Sequence, residues 1–86
     1  MVTETIRVTA GHIAVGVPRG CHHCPIALAV ADLHPGPVTV SNDMIIAGIT
    51  MATLPAAARW FISAFDRDEP VSPFEFTVEW RGGSGA

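Results

Sequence analysis

Cys21 and Cys24, with His22 and His23 between them, are the residues of this 86-residue chain best suited to chemistry. The Cys-x-x-Cys spacing is compatible with three uses. In a redox site, the first thiol lies near a helix start, where backbone N–H groups and the helix dipole favour the thiolate. In a zinc site, the pair supplies two of the four ligands. In a structural role, both cysteines pack as small apolar side chains.

The residues around the two cysteines favour the structural role. A thioredoxin-like redox site needs a βαβ unit, but a helix and then a hairpin are predicted after Cys24. Zinc binding would combine Cys21 and Cys24 with His12 and His34, although no second pair has the spacing of a zinc finger or ribbon. Cys/His nucleophilic catalysis would also need an oxyanion loop, and none is evident. We therefore predict no catalytic residue and no cofactor, with zinc as the alternative.

The composition excludes several classes of partner. The net charge is −3, and only 15% of the residues are charged. Nucleic-acid binding needs clustered cations, whereas the chain has no lysine and its arginines are scattered: Arg7, Arg19, Arg59, Arg67 and Arg81. Residues 44–58 carry no charge, but this run is shorter than the roughly 18 residues that indicate a membrane span. We predict a cytoplasmic protein without a signal peptide, membrane partner or nucleic-acid partner.

The middle of the chain is unusually poor in charge. Between Gly20 and Ala58 the only formal charges are those of Asp32 and Asp43. A chain this short buries only a little over ~60% of its unfolded surface, so we expect part of this stretch to face another protein. The predicted surfaces are a strand edge of the hairpin between Val38 and Ile49 and the apolar helix that follows Cys24. The predicted interface residues are Ile26, Val38, Val40, Met44, Ile45 and Ile46.

The first half of the chain predicts one strand followed by two helices. Thr5–Thr9 has the alternation of a half-buried strand, and Thr9 can cap a short helical turn over 10–15. A helix over 25–33 begins with Cys24 near its N-cap and Pro25 at its first position, and its packing stripe comprises Ile26, Ala29, Val30 and Leu33.

The second half predicts a hairpin, a helix and a strand. The hairpin joins 38–40 to 44–47, and residues 48–53 are ambiguous between strand and loop. A helix follows Pro55, with a predicted packing face of Ala57, Trp60, Phe61, Ala64 and Phe65. Over 74–80 apolar residues alternate strictly with polar ones.

The first and last strands have complementary outward faces, which predicts that they are neighbours with Arg7 opposite a glutamate. The fold class is α+β: a small three- to four-stranded, mainly antiparallel sheet with two main helices packed on one face. We assign residues 1–80 to a single domain and 81–86 to a flexible tail, either natural or left from cloning.

Two sequence motifs of this chain resemble motifs of a known group of proteins. The sequence C-x-x-C-P-I-A-L-A over 21–29, followed by P-V-x-P-F-E-F over 70–76, resembles a group of short uncharacterised proteins of actinobacteria and their phages. The resemblance implies a small intracellular protein, often phage-encoded, without an assigned activity. We expect a non-enzymatic interaction protein that self-associates as a homo-oligomer or binds a host protein. The alternative is a zinc-binding or thiol-dependent module centred on Cys21 and Cys24.

Overall fold

The first and last strands lie side by side in the computed structural model, which describes residues 2–20, 22–34, 36–41 and 43–82. Strand β1 (Val2–Val8) pairs antiparallel with β5 (Phe74–Gly82) in a register that places Arg7 opposite Glu75. Arg7 Nε donates to Glu75 Oε2 at 3.2 Å. The predicted strand neighbours and ion pair are therefore confirmed, although so exposed a pair adds only about 0.2–1 kcal/mol.

The sheet has five antiparallel strands, more than the three or four that the sequence predicts. Strands β2 (Val38–Val40), β3 (Met44–Ala47) and β4 (Thr50–Thr53) complete the order β1-β5-β4-β3-β2. The additional strand is β4, which occupies the ambiguous stretch. Gly48 has φ +62° in the turn that returns the chain along β3, a conformation that glycine adopts without strain.

Strand β5 is longer at its carboxyl end than the sequence predicts. Arg81 pairs with Met51 and Gly82 with Thr50, so these two residues belong to the sheet and not to a tail. Their backbone groups pair with those of β4. This pairing depends on a distant part of the chain, so the local sequence pattern does not predict it. Residues 83–86, the remainder of the predicted tail, lie outside the described residues.

In the part of the chain that the structure describes, three helices accompany the sheet: α1 (Ala10–Val15), α2 (Pro25–Leu33) and α3 (Ala56–Asp66). Thr9 caps α1 in a capping box with His12, and this short helix is additional to the two main ones predicted. Helix α2 has the predicted bounds, with Cys24 as N-cap and Pro25 at its first position.

The core lies between one face of the sheet, here called the inner face, and helices α2 and α3. Ile6 of β1 and Ile26 and Val30 of α2 are completely buried there. Helix α3 joins the core through Phe61, whose ring stacks on that of Phe74 with centroids 4.7 Å apart. The packing of both main helices on one face agrees with the predicted arrangement.

The predicted packing face of α3 is wrong at Ala57 and Trp60. Ala57 is exposed, and Trp60 is 73% exposed. The helix instead packs through Ala58, Phe61, Ile62 and Phe65, which follow the i, i+3, i+4, i+7 spacing of a single face. That stripe is continuous without Trp60, so the largest aromatic residue of the helix faces away from the core.

Candidate functional site

Cys24 has a buried, free thiol in this fold. Its Sγ accepts a hydrogen bond from the backbone N–H of Ala27 at 3.4 Å as the N-cap of α2. Burial raises the pKa of the Cys24 thiol, and this effect outweighs the hydrogen bonds from the helix start, which lower it. The neutral thiol is therefore favoured, as the packing interpretation expects. Cys21 lies outside the described residues, so a dithiol or a zinc pair there stays a prediction.

His12 connects α1 to α2. Its Nε2 lies 2.6 Å from Asp32 Oδ2, and its Nδ1 accepts the backbone N–H of Thr9 at 3.0 Å. A lone pair at Nδ1 places the ring proton on Nε2, where it is donated to the carboxylate. The histidine therefore cross-links the two helices while it completes the cap of α1.

The order hydroxyl, imidazole and carboxylate at Thr9, His12 and Asp32 is that of a nucleophilic triad. The Thr9 hydroxyl oxygen lies 3.1 Å from His12 Nδ1. However, the lone pair of Nδ1 already accepts the Thr9 backbone N–H, and the hydroxyl accepts the backbone N–H of His12 at 3.3 Å. Both groups thus take part in the capping of α1.

His34 belongs to a second histidine–carboxylate cluster, at the carboxyl end of α2. Glu4 Oε1 accepts hydrogen bonds from His34 Nε2 at 2.6 Å and from the indole N–H of Trp80 at 2.8 Å. The imidazole also packs edge-on against the indole, with ring centroids 5.0 Å apart. Glu4 therefore joins α2 to both strands β1 and β5.

The hydrogen bond from His34 is the main cause that lowers the pKa of Glu4 below its ordinary value of 4.5. Partial burial of the carboxyl opposes this shift, and the indole N–H of Trp80 supports it. The carboxylate form is consequently favoured, and it accepts both donors.

The structure separates the residues that the zinc alternative would unite. Cys24, His12 and His34 each belong to a different local arrangement. Across 2–20, 22–34, 36–41 and 43–82, no three His, Cys, Asp or Glu side chains form a group that could hold a metal ion. Zinc binding therefore stays a prediction that depends on Cys21.

Four of the six predicted interface residues lie in the protein's own core, so the prediction is corrected for them. Ile26, Val38, Val40 and Ile45 are buried. Each points to the inner face of the sheet or comes from the stripe of α2 that covers it, so none offers a surface to a partner. Of the six, only the half-buried Met44 and the exposed Ile46 reach the surface.

The other face of the sheet, here called the outer face, is left uncovered by α2 and α3. On its β1–β5 half, the strand register aligns only polar pairs: Thr3 with Glu79, Thr5 with Thr77, and Arg7 with Glu75. On its other half, Ile46 of β3 lies directly opposite Met51 of β4.

Apolar side chains are concentrated on the β3–β4 half of the outer face. Ile46 and Met51 are each 39% exposed, and Ile49, in the turn between their strands, is 64% exposed. Together with Met44 they form what we call the apolar face: Met44, Ile46, Ile49 and Met51. The hairpin between Val38 and Ile49 was a predicted surface, but Ile49 and Met51 were not among the predicted interface residues because residues 48–53 were ambiguous between strand and loop.

No helix within the described ranges is long and apolar enough to cross a membrane. In the comparisons with known proteins, no family model, no curated protein and no solved structure matches this chain.

Proposed function

We propose that the protein is a non-enzymatic interaction protein that binds another protein through the apolar face. The observation that carries the proposal is the exposed, directly opposed pair Ile46 and Met51, with Ile49 at the adjoining turn. This pair lies within the run 44–58, which contains no charged residue. Contiguous apolar surface of this kind is typical of protein–protein contacts.

The chemistry of the apolar face indicates an adaptable contact with a polar rim. Methionine side chains have several rotatable bonds and a polarizable sulfur, so they fit partners of different shape. Charged groups adjoin the apolar face on two sides: Arg81 pairs with Met51 across the sheet, and Asp43 precedes Met44 in the chain. An apolar centre with charges at its edge is the usual composition of a protein interface.

The partner is either a second copy of this chain or a host protein. The resemblance of the two sequence motifs to short phage and actinobacterial proteins supports the second source, with the host cytoplasm as the place of action. The two kinds of partner can be distinguished by the mass of the purified protein in solution. Self-association changes the mass in solution with concentration, whereas a host partner leaves the isolated chain unchanged.

The test compares Met51→Glu with Thr77→Glu, a control that adds the same charge on the polar half of the outer face. Burying an unpaired glutamate in a protein contact is strongly unfavourable, so Met51→Glu should weaken binding by about tenfold or more. Light scattering at several concentrations measures self-association, and quantitative pulldown from host lysate measures capture of a partner. Binding that Met51→Glu and Thr77→Glu alter equally, or a monomer that captures nothing, contradicts the proposal.

A further inference from the structure

The two edges of the sheet differ in length and in protection. Strand β2 forms one edge with only three residues, and His22 Nδ1 lies 3.1 Å from its Val38 carbonyl oxygen. Strand β1 forms the other edge with seven residues. Within the described residues, no backbone hydrogen bond is made on the free edge of β1, the side away from β5.

Strand β1 lacks two of the features that usually prevent strands from pairing with other chains. Its register with β5 is one-to-one from Val2 to Val8, so it contains no bulge, and its sequence contains no proline. Its two charged side chains already have partners in the same chain, Glu4 in His34 and Trp80 and Arg7 in Glu75. Natural proteins ordinarily blunt edges with charges, prolines or bulges, or cover them, and a long, regular edge whose charges are already paired is suited to receiving another strand.

A groove of about 330 Å³ follows this edge. One wall contains Thr5 and Arg7, which lie on the outer face, and the other contains Ala29, Asp32 and Leu33 of α2, which packs on the inner face. Because the groove has one wall on the outer face of the sheet and the other on the helix that covers the inner face, it runs along the edge of β1. Its helix wall is partly apolar, because the Leu33 side chain is 48% exposed.

We propose that this edge binds a second copy of the chain, with the two β1 strands antiparallel about a two-fold axis. The pairing joins the two five-stranded sheets into one continuous sheet. In such an isologous contact each copy contributes the same surface, so the unpaired backbone groups of two identical edges satisfy one another.

The side chains of β1 are compatible with this symmetry. In a register centred on Thr5, Thr5 lies opposite Thr5 of the second copy, and Thr3 lies opposite Arg7. Like charges are therefore not placed opposite each other. Each groove also carries Arg7 and Asp32, which contact Glu75 and His12 of the same copy, so neither charge enters the contact without a partner.

This contact is independent of the apolar face. Strand β1 lies at one end of the strand order, whereas Ile46 and Met51 lie on β3 and β4 towards the other end. The two surfaces can therefore be changed separately, and a dimer formed through β1 leaves the apolar face of each copy open. Failure of one proposal does not imply failure of the other.

The experiment places a charge at the centre of the edge. Thr5→Lys brings two like charges to within about 5 Å across the axis, which should weaken the dimer roughly fivefold at low salt. The matched control is Thr77→Lys, because Thr77 is the exposed register partner of Thr5 on the same face, one strand away from the edge. Sedimentation equilibrium over a wide range of concentrations gives the dissociation constants, and circular dichroism checks folding.

A charge-swap mixture makes the test specific to β1. Thr5→Lys and Thr5→Glu should each dimerise poorly alone, whereas an equimolar mixture should recover wild-type affinity or better. A wild-type chain that is monomeric throughout overturns the proposal, even if it captures a strand of another protein. Equal effects of Thr5→Lys and Thr77→Lys also overturn it. So does a dimer that Met51→Glu abolishes and Thr5→Lys preserves, which would locate the contact on the apolar face.

Discussion

Glu4→Gln tests whether the cluster of Glu4, His34 and Trp80 holds α2 to the two terminal strands. The substitution keeps the shape of the side chain but removes its charge. In the wild type, one carboxylate oxygen of Glu4 accepts two donors, His34 Nε2 at 2.6 Å and Trp80 Nε1 at 2.8 Å. The amide oxygen can accept both donors at the same position, but it is neutral, so both hydrogen bonds lose the strength that the negative charge gives them.

The magnitude follows from the number of hydrogen bonds and from their exposure. A hydrogen bond to a charged group contributes about 1.5–3 kcal/mol net. The Glu4 and His34 side chains are 29% and 34% exposed, and both bonds can remain in weaker form to a neutral oxygen. These two facts place the expected loss in the unfolding free energy near the lower bound, at about 1.5 kcal/mol. For a domain of this size that corresponds to a fall in Tm of about 6–12 °C.

The effect of pH has a definite sign. Because the folded-state pKa of Glu4 lies below its ordinary value of 4.5, its contribution is fully present above that value. It is lost as the pH falls through the lower, folded-state pKa. The difference in unfolding free energy between the wild type and Glu4→Gln should therefore be largest above pH 4.5 and shrink below it.

Urea unfolding followed by tryptophan fluorescence at several pH values measures this difference. The control is Glu79→Gln, since Glu79 is exposed on the outer face of the neighbouring strand β5 and its side chain makes no hydrogen bond among the described residues. The control should change the unfolding free energy by less than about 0.5 kcal/mol. If Glu4→Gln is no more destabilising than Glu79→Gln at neutral pH, the reasoning about this cluster is wrong.

Three further predictions concern the packing of the core and the surface. Phe61→Ala should lower the unfolding free energy, measured with urea, by about 3 kcal/mol because the ring is buried. Trp60→Ala should change the unfolding free energy by less than about 0.5 kcal/mol. Equal losses for the two variants would contradict the observed packing face of α3. In a Cys21→Ser background, Cys24 should react with a disulfide reagent at the rate of unfolding, because its neutral thiol is buried, and rapid labelling of the native state would contradict this. Arg7→Ala should lower the unfolding free energy by less than about 1 kcal/mol, because an exposed ion pair contributes little. A larger loss in urea unfolding would contradict this small contribution of the pair with Glu75.

Local patterns in the sequence were sufficient for the elements whose ends carry their own signals. Cys24 and Pro25 mark the start of α2 through capping and a fixed φ, so its bounds could be predicted. The alternation over 74–80 identified the buried side of β5. The charges of Arg7 and Glu75 even indicated which strands are neighbours, because opposite charges at matching positions favour cross-strand pairing.

Long-range contacts decided the features that local patterns left open. Residues 50–53 became a strand because β3 and β5 supply hydrogen-bond partners on both sides. The exposure of Trp60 followed from which stripe of α3 met Phe74. The histidines were predicted as possible zinc ligands, yet folding brings His12 to Asp32 and His34 to Glu4, across 20 and 30 residues of chain.

The surfaces available to a partner also depended on tertiary structure. The sequence by itself determined that residues 44–58 carry no charge and that an apolar surface was to be expected there. It did not determine which of these side chains enter the core, since Ile45 and Ile46 are adjacent and have the same chemistry. The pleat of β3 sends neighbouring side chains to opposite faces, and the helices cover only the inner one. Packing therefore buried Ile45, left Ile46 exposed and made β1 the long, open edge of the sheet.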